Sequence, residues 1–202
     1  MTEIIFSDKD ICVCRKPRGV LSEGVGKDSL PALLSEQLRA KVFPVHRLDK
    51  ETEGLMVYCL NKAAAGELSR QIADGIMKKE YIAELCGAPE KDSDRLSDLL
   101  FFDRQRGKSF VVSRERKGVK RAELEYRVIG TQDGFTSVRV RLFTGRTHQI
   151  RAQFASRGLP LRGDRRYGAP KDTGELGLRS VYLAFRHPTC GEFMEFGEKS
   201  DF

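Results

Sequence analysis

Most apolar residues in this chain fall into short runs of strand length, with no regular alternation of strands and helices between them. That pattern excludes a doubly wound parallel sheet and predicts an α+β fold: a mixed, mainly antiparallel β-sheet with flanking helices. Ile4 to Cys14 reads as strand, turned by Lys16-Pro17-Arg18-Gly19, where proline fixes φ and glycine permits positive φ. Leu55 to Leu60 is a short apolar run, and Lys79 to Leu85 alternates. Glu123 to Ile129 and Thr136 to Phe143 pair antiparallel through Gly130 to Gly134, and Val181 to Phe185 with Phe193 to Phe196 close the sheet. In the run ending at Phe143, Val138, Val140 and Leu142 face one way while Arg139 and Arg141 face the other. Helical spacing occurs in three places: Leu30, Leu33, Leu34 and Leu38 behind a Ser29 cap; Ala64, Leu68 and Ile72 ending at Gly75; and Ile150 with Phe154 behind a Thr147 cap, ending at Gly158. Arg151 is expected off that last apolar stripe. Between Cys86 and Lys120 the pattern weakens to hairpins or an irregular basic excursion. No linker or repeat divides residues 1–202, so one domain is expected.

A hydrophobic fraction of 40% in 202 residues supports a real core. Lys plus Arg outnumber Asp plus Glu by 36 to 29, and the excess is clustered, with eight basic residues and only Glu115 opposing them from Arg104 to Arg121. A second basic series runs from Arg141 to Arg166. Together these predict a polyanionic partner, RNA or DNA ahead of a membrane surface. Five cysteines, Cys12, Cys14, Cys59, Cys86 and Cys190, form no paired Cys-x-x-Cys arrangement, and no apolar stretch is long enough for export or for a membrane span. A reducing, cytoplasmic protein without zinc is expected.

Two blocks carry the candidate chemistry. His46-Arg47-Leu48-Asp49, running on through Thr52 and Gly54-Leu55, places a carboxylate beside a guanidinium on a loop entering a buried strand. Gly145-Arg146-Thr147-His148-Gln149-Ile150-Arg151 supplies two arginines, a histidine and an amide at a helix start. An aspartate free in water has a pKa of about 3.9, so in a cleft it needs a cation to stay charged, and Arg146 is the candidate. As an isolated residue Asp49 is equally a turn aspartate, Thr147 a helix cap, and His46 and His148 core or capping histidines. A metal-dependent phosphoesterase built on Asp49, His46 and His148 lacks carboxylate ligands. The His-Arg-Leu-Asp block also fails as a kinase catalytic loop, because its leucine breaks the spacing and neither a Gly-rich loop nor Asp-Phe-Gly accompanies it.

Taken in order, these motifs resemble the RluA-type family of RNA pseudouridine synthases over nearly the whole chain. Lys16-Pro17-Arg18-Gly19 is similar to the family's Lys-Pro-x-Gly turn, and the Asp49 block to its catalytic block. Lys79-Glu80-Tyr81-Ile82-Ala83 is similar to its tyrosine motif. Gly145 to Arg151 with Gly158, Pro160, Gly163-Asp164 and Tyr167-Gly168 resembles its third motif, and Phe185 with His187-Pro188 its terminal Phe-x-His-Pro. The resemblance implies a pseudouridine synthase fold with a central catalytic cleft. It implies that Asp49 is the essential carboxylate, that Tyr81 packs on the target uracil, that Arg146 pairs with Asp49, and that Arg47 takes the space of an extruded base. RNA, either tRNA or rRNA, is the implied partner, with no cofactor and no metal. Thr147, His148, Gln149 and Arg151, and Arg114, Arg116 and Lys117 in the basic excursion, are the expected RNA contacts.

Three departures from the family pattern bear on the site. Glu53 stands where the family usually has a small residue, and a carboxylate there is expected to press on Asp49. Gln153 replaces a customary histidine, and Val181-Tyr182-Leu183-Ala184 departs from the usual Leu-His-Ala. The chain is expected to be a catalytic domain alone, acting as a monomer, with RNA held by its own basic surfaces. A domain of the same fold that grips RNA without catalysis is the alternative.

Overall fold

A computed structural model describes residues 1–24, 26–171 and 173–200. In chain order its elements are β1 (Glu3–Ser7), β2 (Ile11–Lys16), α1 (Leu30–Leu38), β3 (Phe43–Pro44), β4 (Glu53–Cys59), α2 (Lys62–Ala73), β5 (Lys78–Cys86) and β6 (Ser93–Asp103). There follow β7 (Lys108–Val112), β8 (Val119–Gln132), β9 (Phe135–Leu142), α3 (Gln149–Ala155), a short 3-10 turn (Arg165–Tyr167), β10 (Leu178–Arg186) and β11 (Phe193–Gly197). The fold is α+β, with three helices on mixed but mainly antiparallel strands. It comprises two compact units, residues 1–79 with 179–202, and residues 80–178.

In the first unit β1 and β2 form a hairpin, β2 pairs antiparallel with β4, and β10 lies parallel to β4 through Arg179–Glu53 and Ser180–Gly54. The single strand expected over Ile4 to Cys14 is therefore two. The Asp8 carboxylate breaks it by accepting both Asp10 N–H and Ile11 N–H at 2.8 Å, an Asx turn that closes the hairpin. The core joins Ile11, Val13, Leu55, Val57 and Cys59 to Leu183, Phe185 and the Ala64 and Leu68 face of α2. Ser29 caps α1 as expected, and Asn61 caps α2 through Ala64 N–H at 2.9 Å. Gly54 is indispensable at the head of β4, because its φ of 115° is a glycine conformation and a Cβ there would collide with the Ser180 carbonyl.

The second unit is a meander in which β5, β9, β8, β6 and β7 pair antiparallel in that order. The excursion between Cys86 and Lys120 is thus ordered hairpin, with β6 pairing along β8 from Ser93 to Phe101. The β8–β9 turn falls at Asp133-Gly134; Gly130 lies within β8 beside a register shift. As the alternation required, Val138 and Val140 are buried. Thr147 is not the cap of α3. His148 is, in a left-handed conformation with φ of 53° and no side-chain capping bond. The first turn is held instead by Gln149, whose Oε1 accepts Thr144 Oγ1–H at 2.7 Å and Arg146 N–H at 3.0 Å, while its amide donates to Glu123 O at 3.0 Å. Among the described residues no helix is long and apolar enough to cross a membrane.

Candidate active site

Asp49 sits on the turn between β3 and β4, and its neighbours are pinned to the 16–22 segment of the same unit. Ser22 Oγ accepts Leu48 N–H at 3.1 Å and donates to Leu48 O at 2.7 Å, and the Tyr58 hydroxyl holds Ser22 O at 2.8 Å. Lys50 O accepts Gly19 N–H and the Lys16 ammonium, each at 2.9 Å, and Asp49 O accepts Thr52 N–H at 3.0 Å. The carboxylate thus rides on a turn fixed from both sides. His46 braces the approach by accepting Val57 N–H on Nε2 at 3.1 Å. Burial, with the Lys79 ammonium beside it, pushes its imidazole down to about 3, so the neutral form is favoured there. Arg47 is half-exposed and pairs with Glu23 at 2.8 Å. Glu53 pairs with Arg18 at 3.6 Å.

His187 of the Phe-x-His-Pro motif latches the β1–β2 turn. Its Nε2 meets Asp8 Oδ2 at 2.8 Å and its Nδ1 accepts Thr189 N–H and Cys190 N–H. Asp10 in turn accepts from Asn61 and Thr189 at 2.8 Å each. Every member of this Asp8, Asp10 and His187 cluster is engaged in holding chain, which gives the terminal motif a structural role.

Tyr81 and Arg146 belong to the second unit. Tyr81 is buried on β5 opposite Val140 of β9, and beside it the buried Glu80 meets Arg139 at 2.8 Å and Arg141 at 3.2 Å. Arg146 is anchored by Nε–H to Arg121 O at 2.9 Å. His148 Nδ1 lies 3.1 Å from the Tyr167 hydroxyl, and Tyr167 Oη accepts Ser109 N–H at 2.8 Å, so the third motif is knitted to β7.

Much of the second basic series is paired within its own unit, while Arg165 and Arg166 are exposed. Arg141 meets Glu80 together with Arg139 of the same strand, Arg157 meets Asp98 at 2.9 Å, and Arg162 meets Glu84 at 2.8 Å. Arg151, expected off the apolar stripe and on RNA, is buried and bonded to Asp164 at 2.6 and 2.8 Å. Gln149 is buried and engaged as described. These side chains build the unit, because each has a carboxylate or backbone partner that sequence spacing does not reveal. The first series differs: Arg114, Arg116 and Lys117 are exposed at the β7–β8 turn, and Arg116 lies over the Phe101 ring at 4.5 Å. Arg106 and Lys108 flank Phe110, which pairs with Phe101 across the hairpin, so this sheet face offers rings rimmed by cations.

Asp49 thus stands on a fixed turn of the first unit, and Tyr81 and the basic hairpin belong to the second; comparison with known proteins supplies the class. The family model described as RNA pseudouridylate synthase matches residues 10–156. The dual-specificity RNA pseudouridine synthase RluA of Haemophilus influenzae is 34% identical, covering 99% of this chain and 94% of that protein. An uncharacterized RNA pseudouridine synthase of Aquifex aeolicus is 36% identical over 96% of this chain and 67% of its own. The structure of human RNA Pseudouridylate Synthase Domain Containing 1 superposes with a TM-score of 0.81 at 25% identity, covering all of this chain and 84% of that one. The chain belongs to the RluA-type RNA pseudouridine synthases and is an enzyme of the isomerase class.

Proposed function

We propose that this enzyme converts specific uridines of structured tRNA or rRNA to pseudouridine, with Asp49 as the catalytic carboxylate, Tyr81 against the target uracil and Arg146 as the cation that keeps Asp49 charged. Residues 1–202 act as one catalytic domain, as a cytoplasmic monomer. The observation that carries this reading is the Asp49 turn, whose flanking Leu48 and Lys50 are each held by paired hydrogen bonds while the carboxylate itself is borne on the turn between them. The reaction breaks the bond from ribose C1′ to uracil N1, rotates the base, joins C1′ to C5, and moves the C5 proton to solvent as N1 gains one. One carboxylate serves it, by attack or by proton removal. A tyrosine ring stacks on an extruded base and its hydroxyl relays the C5 proton. Arg47 suits a wedge into the vacated stack, because the exposed pair with Glu23 is worth only about 0–1 kcal/mol and releases it readily. Cellular RNA labelled with tritium at uracil C5, incubated with the enzyme and a chelator, is expected to release label. Binding without release would leave a silent RNA-gripping domain, and release abolished by chelator would demand a metal.

The exposed hairpin carries the RNA contacts in this reading. Replacing Arg114, Arg116 and Lys117 by Ala is expected to weaken RNA binding and to flatten its salt dependence. Each lost phosphate contact removes roughly 0.7–0.9 from the slope of log K against log salt. Filter binding over a salt series measures this; an unchanged slope would mean that these charges are merely solvated.

A further inference from the structure

We infer that the outer face of the β6–β7 hairpin is a platform for single-stranded RNA: unpaired bases stack on Phe101 and Phe110 while the cations around the rings take the phosphates. The inference deepens, and rests on, the reading that this hairpin carries RNA contacts.

Alternation along β6, β7 and β8 sorts their side chains onto two faces. Leu100, Val111 and Ala122 turn toward Tyr167 and toward Ala152 and Ala155, and make a core there. Their neighbours in sequence turn the other way. Phe101 stands opposite Phe110 of β7 and Val119 of β8, and Leu99 stands opposite Val112 and Arg121. Leu99, Phe101, Phe110, Val112 and Val119 thus form a contiguous apolar patch of part-exposed side chains on the face away from that core. The charge around the patch indicates what it binds. Arg104 to Arg121 holds eight basic residues and Glu115 alone against them. Arg116 lies 4.5 Å over the Phe101 ring, and Arg106 and Lys108 lie 5.9 and 5.4 Å from the centre of Phe110. A second copy of this chain, with its net charge of +7, would bring like charge against those cations. An RNA duplex offers phosphates but keeps its base faces stacked on one another, whereas an unpaired segment offers both phosphates and base faces.

Residues directly opposite on antiparallel strands have Cβ atoms about 4.5–5.5 Å apart, and aromatic rings so placed on an open sheet take successive unpaired bases. A cation over an exposed ring is held more weakly than a stacked base, so Arg116 and Arg106 swing from the rings to the phosphates as the bases arrive. The platform is preformed at both ends. Asp103 Oδ1 accepts Gln105 N–H at 2.9 Å and Arg106 N–H at 3.1 Å, which fixes the β6–β7 turn. Arg116 O accepts Val119 N–H at 3.0 Å, which fixes the β7–β8 turn.

The test compares a short unpaired oligoribonucleotide with the same sequence in a duplex. Phe101→Leu with Phe110→Leu keeps the face apolar but removes the rings. In filter binding it should lose about tenfold or more in affinity for the unpaired strand, with duplex affinity and the slope of log K against log salt unchanged. The Arg114, Arg116 and Lys117 alanine variant should instead lower the slope for both RNAs. If the leucine variant binds the unpaired strand as wild type does while the alanine variant binds it more weakly, the platform is overturned and the hairpin remains an RNA contact. If neither variant loses affinity, the reading on which the platform rests fails with it. Should the double substitution fail to fold, a fluorescent reporter decides. The chain has no tryptophan, so Phe110→Trp places a single one on the platform. Its emission should be quenched by the unpaired strand and not by heparin, a polyanion without bases; equal responses would refute stacking. Wild type that sediments as a dimer, and is separated into monomers by Phe110→Lys, would give the face to a second copy and overturn the proposal.

Discussion

Asp49→Asn is expected to lower C5 label release by about a thousandfold or more, with RNA affinity and melting temperature near those of wild type. The substitution keeps the volume and one oxygen of the side chain but removes the charge and the basic lone pair that attack or proton removal needs. The turn should survive, because its folding contacts run through main chain and neighbours: Asp49 O to Thr52 N–H, Lys50 O to Gly19 N–H and Lys16, and Leu48 to Ser22. Single-turnover release against RNA in excess of its dissociation constant isolates the chemical step. Equal rates in the two proteins would remove Asp49 from the catalytic role. A parallel loss of RNA affinity would instead make it a binding group.

What the sequence disclosed of this fold follows from how local each signal is. β9 was legible residue by residue because it buries one face, so Val138 and Val140 alternate with Arg139 and Arg141. β6 and β7 were obscured because Leu99 with Leu100 and Phe101 with Phe102 put apolar residues on both faces of a half-buried hairpin, which erases the period of two. The Asp8-Lys9-Asp10 turn was hidden inside an otherwise continuous strand pattern, and β3 is only two residues long. The cap of α3 was misassigned to Thr147 because threonine is the better capping side chain in isolation. The chain instead starts the helix with a left-handed His148 and satisfies the entry with Gln149.

For the site, the motifs placed Asp49, Tyr81 and Arg146 by order along the chain, but charge bookkeeping is tertiary and escaped them. Lys16 is the clearest case. It lies on the Cys12 and Cys14 side of β2 and is buried there, whereas its place in the Lys16-Pro17-Arg18-Gly19 turn gave no sign of burial. Its carbonyl partner at Lys50 lies 34 residues on and had no local signature. The same holds for Glu80 between Arg139 and Arg141: a basic series reads as surface until the carboxylates that meet it are brought in from other strands.

Arg151 separates these two meanings of a basic residue most sharply. Its guanidinium makes a bidentate pair with Asp164 at 2.6 and 2.8 Å, with side chains 9% and 1% exposed, and lies over the Tyr167 ring at 5.0 Å. Arg151→Met keeps most of the aliphatic volume but strands the Asp164 carboxylate in the interior. Breaking a buried pair from one side costs about 3–5 kcal/mol, so urea denaturation should show a loss of that size and the melting temperature should fall by roughly 10 °C. An arginine serving only as an RNA contact would give the opposite result, with stability unchanged and the salt slope reduced. Replacing both partners, Arg151→Met with Asp164→Leu, should recover most of the stability, because removing the second charge removes the desolvation cost that the single variant leaves behind. If the double variant is as unstable as the single one, the pair does more than neutralise itself, because the turn's main-chain bonds through Asp164 to Leu161, Tyr167 and Ala169 survive the substitution.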